Sequence, residues 1–336
     1  MRLRRADTSR PGYTRRRRGK AFSYTDATGA PLTDPAELDR VKSLVIPPAW
    51  RDVWICPDPR GHIQATGTDA AGRRQYRYHD QWRVKRDAAK FDHVLEVARH
   101  LPELREQVAA DLARRGYGRE RVLAAAARLL DVGVFRIGGE AYASDDDPSG
   151  EATYGLATLR REHVKVRGAT MDFQYPAKGG VERSQRIVDA DTAKLLKALL
   201  KQDVGTPELL AFRTGRQWHD VRSDDINSYL KEHSGGCEIS AKDFRTWHAT
   251  VLAAVVLAGA PASSKAGRRK AVVAAMKQVS GYLGNTPSVA KASYVDPRVV
   301  DLYNHGTVLD LPPGDPLTAH GARSQAEKAL LELLSD

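Results

Sequence analysis

The stretch QYRYHDQWRVKRDAAKFDHVLEVA (75–98) changes from the spacing of a strand to the spacing of a helix. Within 76–79 aromatic and basic side chains alternate, which is typical of a strand with two different faces. Farther along, apolar residues recur at the i, i+3 and i+4 spacing of a helix: Phe91, Val94, Leu95 and Ala98. We therefore place a domain boundary at residue 90.

Before this boundary, β-rich runs are separated by turns. The runs cover 53–55, 62–66 and 75–78, and the turns cover 58–61 and 71–72. The alternation at the end of the third run predicts that one face of this sheet packs while the other meets phosphate.

Beyond the boundary helical spacing dominates, with one interruption. The segment EHVKVRGATMDFQYPAKGGVERSQRIVD (162–189) predicts two or three short antiparallel strands, with turns at 167–168 and 178–180. The predicted fold class is therefore α+β, with a small β-rich N-terminal domain and a mainly α-helical domain that carries a small antiparallel sheet.

Three helices are predicted after this sheet. The first covers 242–259, and the second covers 264–284, where apolar residues share one helical face. Thr286 and Pro287 predict the N-cap and first turn of a short third helix. Tyr294 then falls at or just past the end of that helix.

The predicted organisation has four parts. Residues 1–20 form a basic disordered arm, 21–90 the β-rich domain, 91–310 the helical domain, and 311–336 a C-terminal tail or helix. The arm carries eight arginines and one lysine against one aspartate. Such a run of like charge is typical of an extension that contacts phosphates without sequence preference, or of a solvated tail.

The rest of the chain is almost neutral, but its charge is unevenly distributed. The formal net charge is +11, of which the arm supplies +8. Residues 60–90 hold eight Lys or Arg and three Asp, and 261–291 hold six Lys or Arg and no acidic residue. Separated basic stripes predict a protein with one DNA-facing side, and chance clustering on solvated faces is the alternative.

Composition disfavours several other classes of protein. No apolar run approaches the roughly 20 residues of a membrane-spanning helix, and no apolar segment of a secretory signal follows the basic N-terminus. Cys56 and Cys237 stand far apart and outside any CxxC or CxxH pattern, which argues against zinc and for a reducing compartment. We expect a cytoplasmic, nucleoid-associated protein without a metal site.

Four segments place a polar group where chemistry is feasible. Arg136 ends an apolar run, where a guanidinium needs an anion. Lys178 stands at the tip of a predicted hairpin, and Arg245 is expected in the first turn of a helix, where backbone N–H groups favour an anion. The fourth segment contains Asn285 and Tyr294. Taken singly, each residue also has a structural explanation, as a salt bridge, a solvated turn, a helix cap or core packing.

In this order and in these contexts, the five residues resemble the type IB DNA topoisomerases. IPPAWRDVWICPDPRGHIQATGTDAAGRRQYRYH (46–79) is similar to the DNA-clamping amino-terminal domain, and YGLATLRREHV (154–164) to the segment before the catalytic-lysine hairpin. KDFRTWHAT (242–250) is similar to the motif with the second arginine, and GNTPSVAKASYVDP (284–297) to the motif with the nucleophile. The resemblance spans roughly 40–305 and points to the compact bacterial and poxvirus-like form.

The resemblance implies an ATP-independent enzyme that relaxes supercoiled DNA and needs no cofactor. Tyr294 would attack a phosphodiester and form a 3′-phosphotyrosyl link, Lys178 would protonate the departing 5′ oxygen, and the strand would swivel before religation. Arg136 and Arg245 would stabilise the nonbridging oxygens. Asn285 stands where eukaryotic and viral members usually have a histidine. An amide can donate a hydrogen bond to a phosphate but cannot transfer a proton in the accessible pH range.

We expect the partner to be double-stranded DNA, clamped by a monomer with no membrane and no obligate protein partner. Further DNA contacts are predicted among basic, aromatic and polar residues in or near the basic stripes and motifs. They are Arg73, Arg74, Tyr76, Arg77, Tyr78, His79, Arg160, Arg161, Lys242, Arg268, Arg269 and Lys291.

Two other functions remain open at this point. A tyrosine site-specific recombinase shares the order of arginine, lysine, arginine and tyrosine, but its second arginine usually follows His-x-x-Arg, and Lys242 takes the histidine position here. An architectural DNA-binding protein would use the same basic stripes without needing five ordered residues. The run Asp145–Asp147 could suggest a metal-dependent nuclease, but beside Pro148 it is more typical of a solvated loop.

Overall fold

The chain forms two compact units, Met1–Lys90 and Phe91–Asp336, each with a hydrophobic core. The computed structural model describes residues 1–19, 21–70, 72–139, 143, 152–311 and 320–335. The run Asp145–Asp147 lies outside the described residues. No helix of the described part is long and apolar enough to cross a membrane.

The first unit contains a five-stranded antiparallel sheet and one helix, α1 (Pro35–Ser43). Its strands lie in the order β2-β1-β3-β4-β5. They are β1 (Tyr13–Arg18), β2 (Ala21–Thr25), β3 (Arg51–Ile55), β4 (Ile63–Thr68) and β5 (Arg74–Tyr78). One face of the sheet packs on α1 through a small core that includes Val41, Val53 and Ile55. A sheet with a single packed face leaves the other face to polar residues.

The prediction of a disordered arm over residues 1–20 was wrong for most of that segment. β1 pairs with both β2 and β3. Nearer the N-terminus, Arg4 forms a parallel bridge with Gly61, and its N–H donates to the carbonyl of Arg60 at 2.8 Å. The amino-terminal residues are therefore part of the first unit.

The pleat of β1 explains how a run of arginines can form a strand. Alternate side chains of a strand project to opposite faces. Arg15 lies on the packed face, where its guanidinium donates 2.8 Å hydrogen bonds to the carbonyls of Ile46 and Pro47. Arg16 and Arg18 project to the opposite face and are exposed. One arginine thus supports the core while its neighbours remain available to an anionic partner.

The second unit is mainly helical and carries two small antiparallel sheets. Its helices are α2 (Asp80–Leu112, which begins before the division), α3 (Arg119–Gly133), α4 (Ala190–Leu199), α5 (Ser223–Glu232), α6 (Ala241–Ala258), α7 (Lys265–Leu283), α8 (Pro287–Ser293), α9 (Pro297–Asn304) and α10 (His320–Ser335). One sheet has the order β6-β7-β8, and the other pairs β9 with β10. The strands are β6 (Val164–Arg167), β7 (Thr170–Ala177), β8 (Val181–Val188), β9 (Ala211–Thr214) and β10 (Gln217–Asp220). The predicted α+β class is confirmed.

Helix α6 is the centre of this unit, because nearly all of its side chains are buried. A helix that is enclosed on all sides is fixed by every element around it. α3, α5, α7, α9 and α10 pack against it. These helices are therefore arranged around α6, and α3 also packs directly on α5 and α7 on α9.

A buried group of charged side chains attaches α10 to α3 and α6. Arg105 Nε donates to Asp131 of α3 at 2.8 Å, and Arg105 Nη1 donates to Glu327 of α10 at 2.6 Å. His248 of α6 and Arg323 of α10 complete this charge cluster. Two carboxylates oppose two guanidinium groups, so the cluster is neutral when the imidazole is neutral.

His248 contacts both a carboxylate and a guanidinium of this cluster. Its Nε2 lies 3.0 Å from Asp131 Oδ1, and both of its ring nitrogens lie close to Arg323 Nη2, with Nδ1 at 2.7 Å and Nε2 at 2.5 Å. Burial and the charge of Arg323 lower the pKa of His248. The ring is therefore neutral at pH 7, and the charges of the cluster balance.

We expect Glu327→Gln to lower the free energy of unfolding at pH 7 by about 2 kcal/mol. This loss is smaller than the roughly 3–5 kcal/mol that it costs to break a fully buried ion pair, because Arg105 keeps Asp131 as a partner. Burial would raise the pKa of Glu327, but the hydrogen bonds and charge of Arg105 outweigh it and lower the pKa below 4.5. A depressed carboxyl pKa stabilises the fold above the unfolded value, so this difference should shrink as the pH falls below about 4.5.

Urea denaturation of both proteins between pH 3.5 and 7.5 measures this effect. Glu332→Gln, at an exposed position of the same helix, is the matched control and should change stability by less than about 0.5 kcal/mol. Equal losses for the two variants, or a pH-independent difference, would contradict the role given to the charge cluster.

Candidate active site

A cavity of about 240 Å³ lies where α3 and α7 end, beside the turn between β7 and β8. Its lining includes four positively charged side chains, Arg136, Lys178, Arg183 and Arg245, and one acidic side chain, Glu182. Such an excess of positive charge in a concave site favours an anion. Among the described residues, no group of His, Cys, Asp or Glu has the arrangement of a metal site.

Arg136 reaches the cavity because the chain turns sharply at the end of α3. The C-cap residue Val134 has a left-handed backbone with φ of 52°. This conformation is rare for a β-branched residue and is retained only where the surroundings enforce it. The carbonyl of Val134 accepts a 2.5 Å hydrogen bond from Arg245 Nη1. The strained turn is thus held by a second arginine of the same site.

Asn285 is placed by the end of α7 and oriented by Arg136. Gly284 ends the helix in the left-handed region, with φ of 65°. Arg136 Nη2 donates to Asn285 Oδ1 and, at 3.1 Å, to the carbonyl of Gly284. Because a guanidinium only donates, the amide oxygen must face Arg136. Asn285 Nδ2 therefore points elsewhere, and it is buried without a hydrogen-bond partner among the described residues.

Arg245 is the fifth residue of α6, so the prediction that it lies in the first turn was wrong. The N-cap is Ser240, whose N–H donates to Asp243 at 2.9 Å in a capping box. The Arg245 side chain is 4% exposed and leads to the ends of two other helices. It donates to the carbonyl of Val134 and, at 2.9 Å, to that of Leu283. Its Nε is buried without a partner among the described residues.

Tyr294 lies immediately after α8, as the sequence predicts, and Thr286 is the N-cap of that helix. The guanidinium carbon of Arg245 lies 5.4 Å from the centre of the Tyr294 ring. Burial lowers the pKa of Arg245, and the charge of a Tyr294 phenolate would oppose that change. Thr250 Oγ1 of α6 lies 3.2 Å from the Tyr294 carbonyl and accepts from the N–H of Asp296 at 3.2 Å. The same helix therefore fixes the tyrosine and the arginine beside it.

Lys178 lies at the tip of the β7–β8 hairpin and is exposed at the rim of the cavity. Ala177 and Val181 form the last pair of the ladder, which leaves a three-residue turn. Gly179 and Gly180 have φ of 86° and 69°, and glycine adopts such values without steric cost. The cluster thus combines two anchored arginines with a lysine on a glycine turn.

Sequence reasoning missed two side chains of this cavity, Tyr175 and Arg183. They are directly opposite each other on β7 and β8. Burial raises the pKa of Tyr175, and the guanidinium groups of Arg183, Arg245 and Arg136 oppose that rise. Arg183 is one of several arginines on short strands, so no local pattern distinguishes it.

The alternating side chains of β5 are divided between the two faces of the sheet. Tyr76 is 44% exposed and stacks on Tyr78, with ring centres 6.0 Å apart. Arg74 projects to the same face of the sheet as Tyr76. Arg77 lies on the packed face, where its Nε donates to the carbonyl of Leu44 at 3.1 Å. Tyrosines, and not Arg77, are thus presented on the open face.

The other predicted contacts in the first unit have their own local partners. Arg73 is exposed but paired with Asp69 at 3.1 Å. His79 is half-buried, and its Nδ1 accepts from the N–H of Gln81 at 3.1 Å. The Arg73 side chain can leave an exposed pair at little cost, because such pairs contribute at most about 1 kcal/mol.

In the second unit, one nitrogen of the Arg161 guanidinium has partners within the protein, and another, Nη1, is buried without a partner among the described residues. Its Nη2 lies within 3.2 Å of the carbonyls of Leu199, Leu200 and Gln202, beyond the end of α4. Cations at a helix C-terminus are stabilising, so this arginine has a structural role. Arg160 stacks over Tyr154 with its guanidinium carbon 5.2 Å from the ring centre.

The remaining predicted contacts are surface residues of three helices. Lys242 of α6, Arg269 of α7 and Lys291 of α8 are exposed. Arg268 is half-buried, and its Nη1 donates to the carbonyl of Ser263 at 3.1 Å. Arg269 is therefore more available to an external anion than Arg268.

Comparison with known proteins identifies the class of this chain as a DNA topoisomerase. Residues 79–304 match the family described as eukaryotic DNA topoisomerase I, catalytic core. Residues 21–69 match the family described as bacterial DNA topoisomerase IB, N-terminal domain. The chain belongs to the type IB DNA topoisomerase family, which confirms the resemblance seen in the sequence motifs.

Viral relatives align with most of the chain. A DNA topoisomerase 1B of Acanthamoeba polyphaga mimivirus is 28% identical over 302 residues, which cover 88% of each protein. A DNA topoisomerase 1B of vaccinia virus (strain Copenhagen) is 22% identical over 301 residues, covering 87% of this chain and 90% of the relative. The monkeypox virus DNA topoisomerase I has the same identity and coverage.

We expect Asn285→Asp to slow DNA cleavage about 10²–10³-fold, the usual effect of losing one donor to a developing oxyanion. The substitution keeps the oxygen that accepts from Arg136 but replaces the unpartnered Nδ2 with a negatively charged oxygen. Single-turnover cleavage of a DNA duplex measures the effect. Asn304→Asp, at an exposed position of α9, is the matched control and should leave the rate unchanged. An Asn285→Asp rate within about twofold of wild type would show that the amide donor is not used.

Proposed function

We propose that this protein relaxes supercoiled DNA by transient cleavage of one strand, through a 3′-phosphotyrosyl intermediate, swivelling of the free end and religation. The observation that carries the proposal is the convergence of four residues through direct contacts, Arg136 with Asn285 and Arg245 with the Tyr294 ring. The two arginines also line the cavity at whose rim Lys178 stands, whereas Asn285 and Tyr294 are not among its lining residues. Two of these groups have buried N–H donors without a partner among the described residues. Buried donors are normally satisfied, so their common partner is proposed to be the scissile phosphate.

The reaction proposed for Tyr294 is a transesterification. Its phenol oxygen attacks the phosphorus, the bond from phosphorus to the 5′ oxygen breaks, and the phenol proton passes to water. Lys178 Nζ gives its proton to the departing 5′ oxygen and regains one from the 5′ hydroxyl during religation. A positioned general acid typically contributes about 10²–10⁴-fold to the rate.

The anchored arginines are suited to stabilise the transition state. Each guanidinium has five N–H donors, and Arg245 uses part of them on two carbonyls. The rest remain for the nonbridging oxygens, whose charge increases as the phosphorus becomes pentavalent. Donors held in advance of the reaction need no reorganisation, and each is worth about 3–4 kcal/mol.

We further propose that neither ATP nor a divalent ion is needed. The energy of the broken phosphodiester is kept in the phosphotyrosyl bond, so religation requires no nucleotide. A phenol, with pKa near 10, is a much better leaving group than a sugar alkoxide, so the 5′ hydroxyl can displace it readily. The guanidinium and ammonium groups supply the charge stabilisation that divalent ions give elsewhere.

Each unit offers a surface for duplex DNA. In the first unit, Arg16, Arg18, Arg74 and Tyr76 project from the open face of the sheet. In the second, the exposed cations of the acid-free segment 261–291 lie on α7 and α8. Contacts to phosphates fix the position of the protein without reading the base sequence. We propose that a cytoplasmic monomer, associated with the nucleoid, uses both surfaces.

We expect Tyr294→Phe to abolish plasmid relaxation and covalent protein–DNA adducts while duplex binding stays within about twofold of wild type, because only the nucleophilic oxygen is lost. The assay is relaxation of supercoiled plasmid in EDTA without ATP, with detergent trapping of adducts. Tyr303→Phe is the matched control: its hydroxyl donates to the Ala260 carbonyl, so stability should fall while the adduct still forms. Relaxation by Tyr294→Phe would refute the nucleophile assignment.

The same assay separates the proposed function from site-specific recombination. A recombinase needs its own sites, whereas a topoisomerase relaxes a plasmid of unrelated sequence. Lack of relaxation with intact site-specific adducts would favour the recombinase.

We expect the double variant Arg269→Glu/Lys270→Glu to weaken duplex binding and to reduce the slope of log K against log salt. The slope is about −0.9 per neutralised phosphate, so losing two contacts should reduce its magnitude by roughly 2. Cleavage at saturating protein should stay unchanged, because both side chains are exposed on the surface of α7 and neither is one of the five proposed catalytic residues. The matched control reverses two exposed lysines of α4, Lys194 and Lys197. An unchanged slope for the α7 variant, or an equal change for the control, would count against this surface.

A further inference from the structure

We infer that Arg183 positions the hairpin that carries Lys178 and so controls protonation of the leaving group. This inference rests on the proposed function, in which Lys178 is the general acid. Arg183 lies on β8, five residues after Lys178 and directly opposite Tyr175. It lines the same cavity as Lys178.

The Arg183 guanidinium joins the hairpin to the end of α7. Its Nη1 donates to the carbonyl of Gly281 at 3.1 Å, and its Nη2 donates to that of Tyr282 at 2.5 Å. Its Nε lies 3.3 Å from Gln185 Oε1. Each of the three nitrogens thus has a partner, and the charge lies at a helix C-terminus, where a cation is stabilising. The side chain therefore tethers the hairpin to the helix end.

This tether reaches the segment that carries Asn285. A Cβ added to Gly284 would lie 3.0 Å from Arg183 Nη1. Glycine at this position therefore serves two purposes, since it adopts the left-handed backbone and leaves room for the guanidinium. The end of α7 consequently holds Arg136 through Gly284 and the lysine hairpin through Arg183.

The two strands of this hairpin are held unequally. β7 is fixed by buried side chains such as Ala177 and by the Pro176 carbonyl, which accepts from the N–H of Tyr154 at 2.9 Å, whereas β8 is mostly exposed. The tether therefore matters for β8, the strand that follows the lysine turn. Lys178, Gly179 and Gly180 are exposed, and both glycines have positive φ. Strand pairing fixes β8 to β7, but it does not fix the hairpin against α7. A general acid must come within hydrogen-bond reach of the oxygen it protonates. The Arg183 contacts supply the link from the hairpin to the helix end.

A DNA substrate with sulfur in place of the bridging 5′ oxygen tests this role. A thiol has pKa near 8.5, far below that of a sugar alcohol, so a thiolate leaves without protonation. We expect Arg183→Ala to slow single-turnover cleavage of the ordinary substrate about 10–100-fold. On the sulfur substrate, the cleavage rates of Arg183→Ala and Lys178→Ala should both lie within about threefold of the wild-type rate. The double variant should be no slower than Lys178→Ala alone, because both act on one step.

Three further variants complete the test. Arg183→Gln keeps an N–H donor for one carbonyl. It should recover part of the cleavage rate that Arg183→Ala loses, and it replaces Arg183→Ala in the test if that variant folds poorly. Arg186→Ala, at an exposed position of the same strand paired with Asp172, should match wild type on both substrates. Arg136→Ala removes a proposed donor to the nonbridging oxygens, so its cleavage of the sulfur substrate should remain slow.

Equal slowing of Arg183→Ala on both substrates would overturn the inference and would indicate direct contact with the phosphate or a general loss of fold. Additive effects of Arg183→Ala and Lys178→Ala would overturn it as well. Failure of the proposed function has a different signature, because the wild-type protein would then form no adduct with either substrate.

Discussion

The burial of Arg245 is the constraint on which the site depends. Its guanidinium joins the C-terminal ends of α3 and α7 through two carbonyls and lies beside the Tyr294 ring. An arginine cannot lose its proton, so burying one requires acceptors around it. Helix C-termini offer carbonyls that have no partner within their own helix. The carbonyls anchor the charge, and the charge in turn caps the helices.

The same principle organises the rest of the cavity. Arg136 contacts the carbonyl of Gly284, and Arg183 contacts two carbonyls in the last turn of α7. Positive charges lie close together here, and the neighbouring Arg136 adds to the burial that lowers the pKa of Arg183. Carbonyl dipoles compensate part of this repulsion, and a phosphate would compensate the remainder. Lysine could not replace these arginines, since one ammonium cannot bridge two carbonyls and still present a fixed fork of donors.

Much of the local structure around the site could be predicted from the sequence. The β7–β8 hairpin, α7 and the short helix before Tyr294 follow patterns of spacing, glycine and proline that act within a few residues. The strand β1 was missed because a run of arginines is typical of disorder, and the pairing with β2 and β3 together with the contacts of Arg15 makes it a strand. The face to which Arg77 projects could not be predicted either, because a one-residue change in register exchanges the two faces.

Tertiary contacts determine the remaining features, and no local pattern reports them. Arg183 touches Gly281 and Tyr282, which are almost 100 residues away in sequence. Arg161 donates to carbonyls at the end of a helix that no spacing near it reveals. The left-handed conformation of Val134 contradicts its β-branched side chain, so sequence propensity predicts a different backbone there. Local rules fail where the site imposes its own geometry.

In the proposed reaction, the site separates two requirements of phosphoryl transfer. Stabilising the pentavalent phosphorus needs donors that do not move, and the proposed donors are arginines fixed to helix ends around the enclosed helix α6. Protonating a leaving group that later returns needs an acid that can withdraw, and Lys178 stands on a turn of two glycines. A single guanidinium, that of Arg183, links the hairpin that carries Lys178 to the helix end that holds the arginine site. If a rigid scaffold carried both functions, the free 5′ end would have to swivel past a fixed side chain. A lysine on a tethered hairpin avoids that conflict, because the tether fixes its approach while the turn permits its retreat.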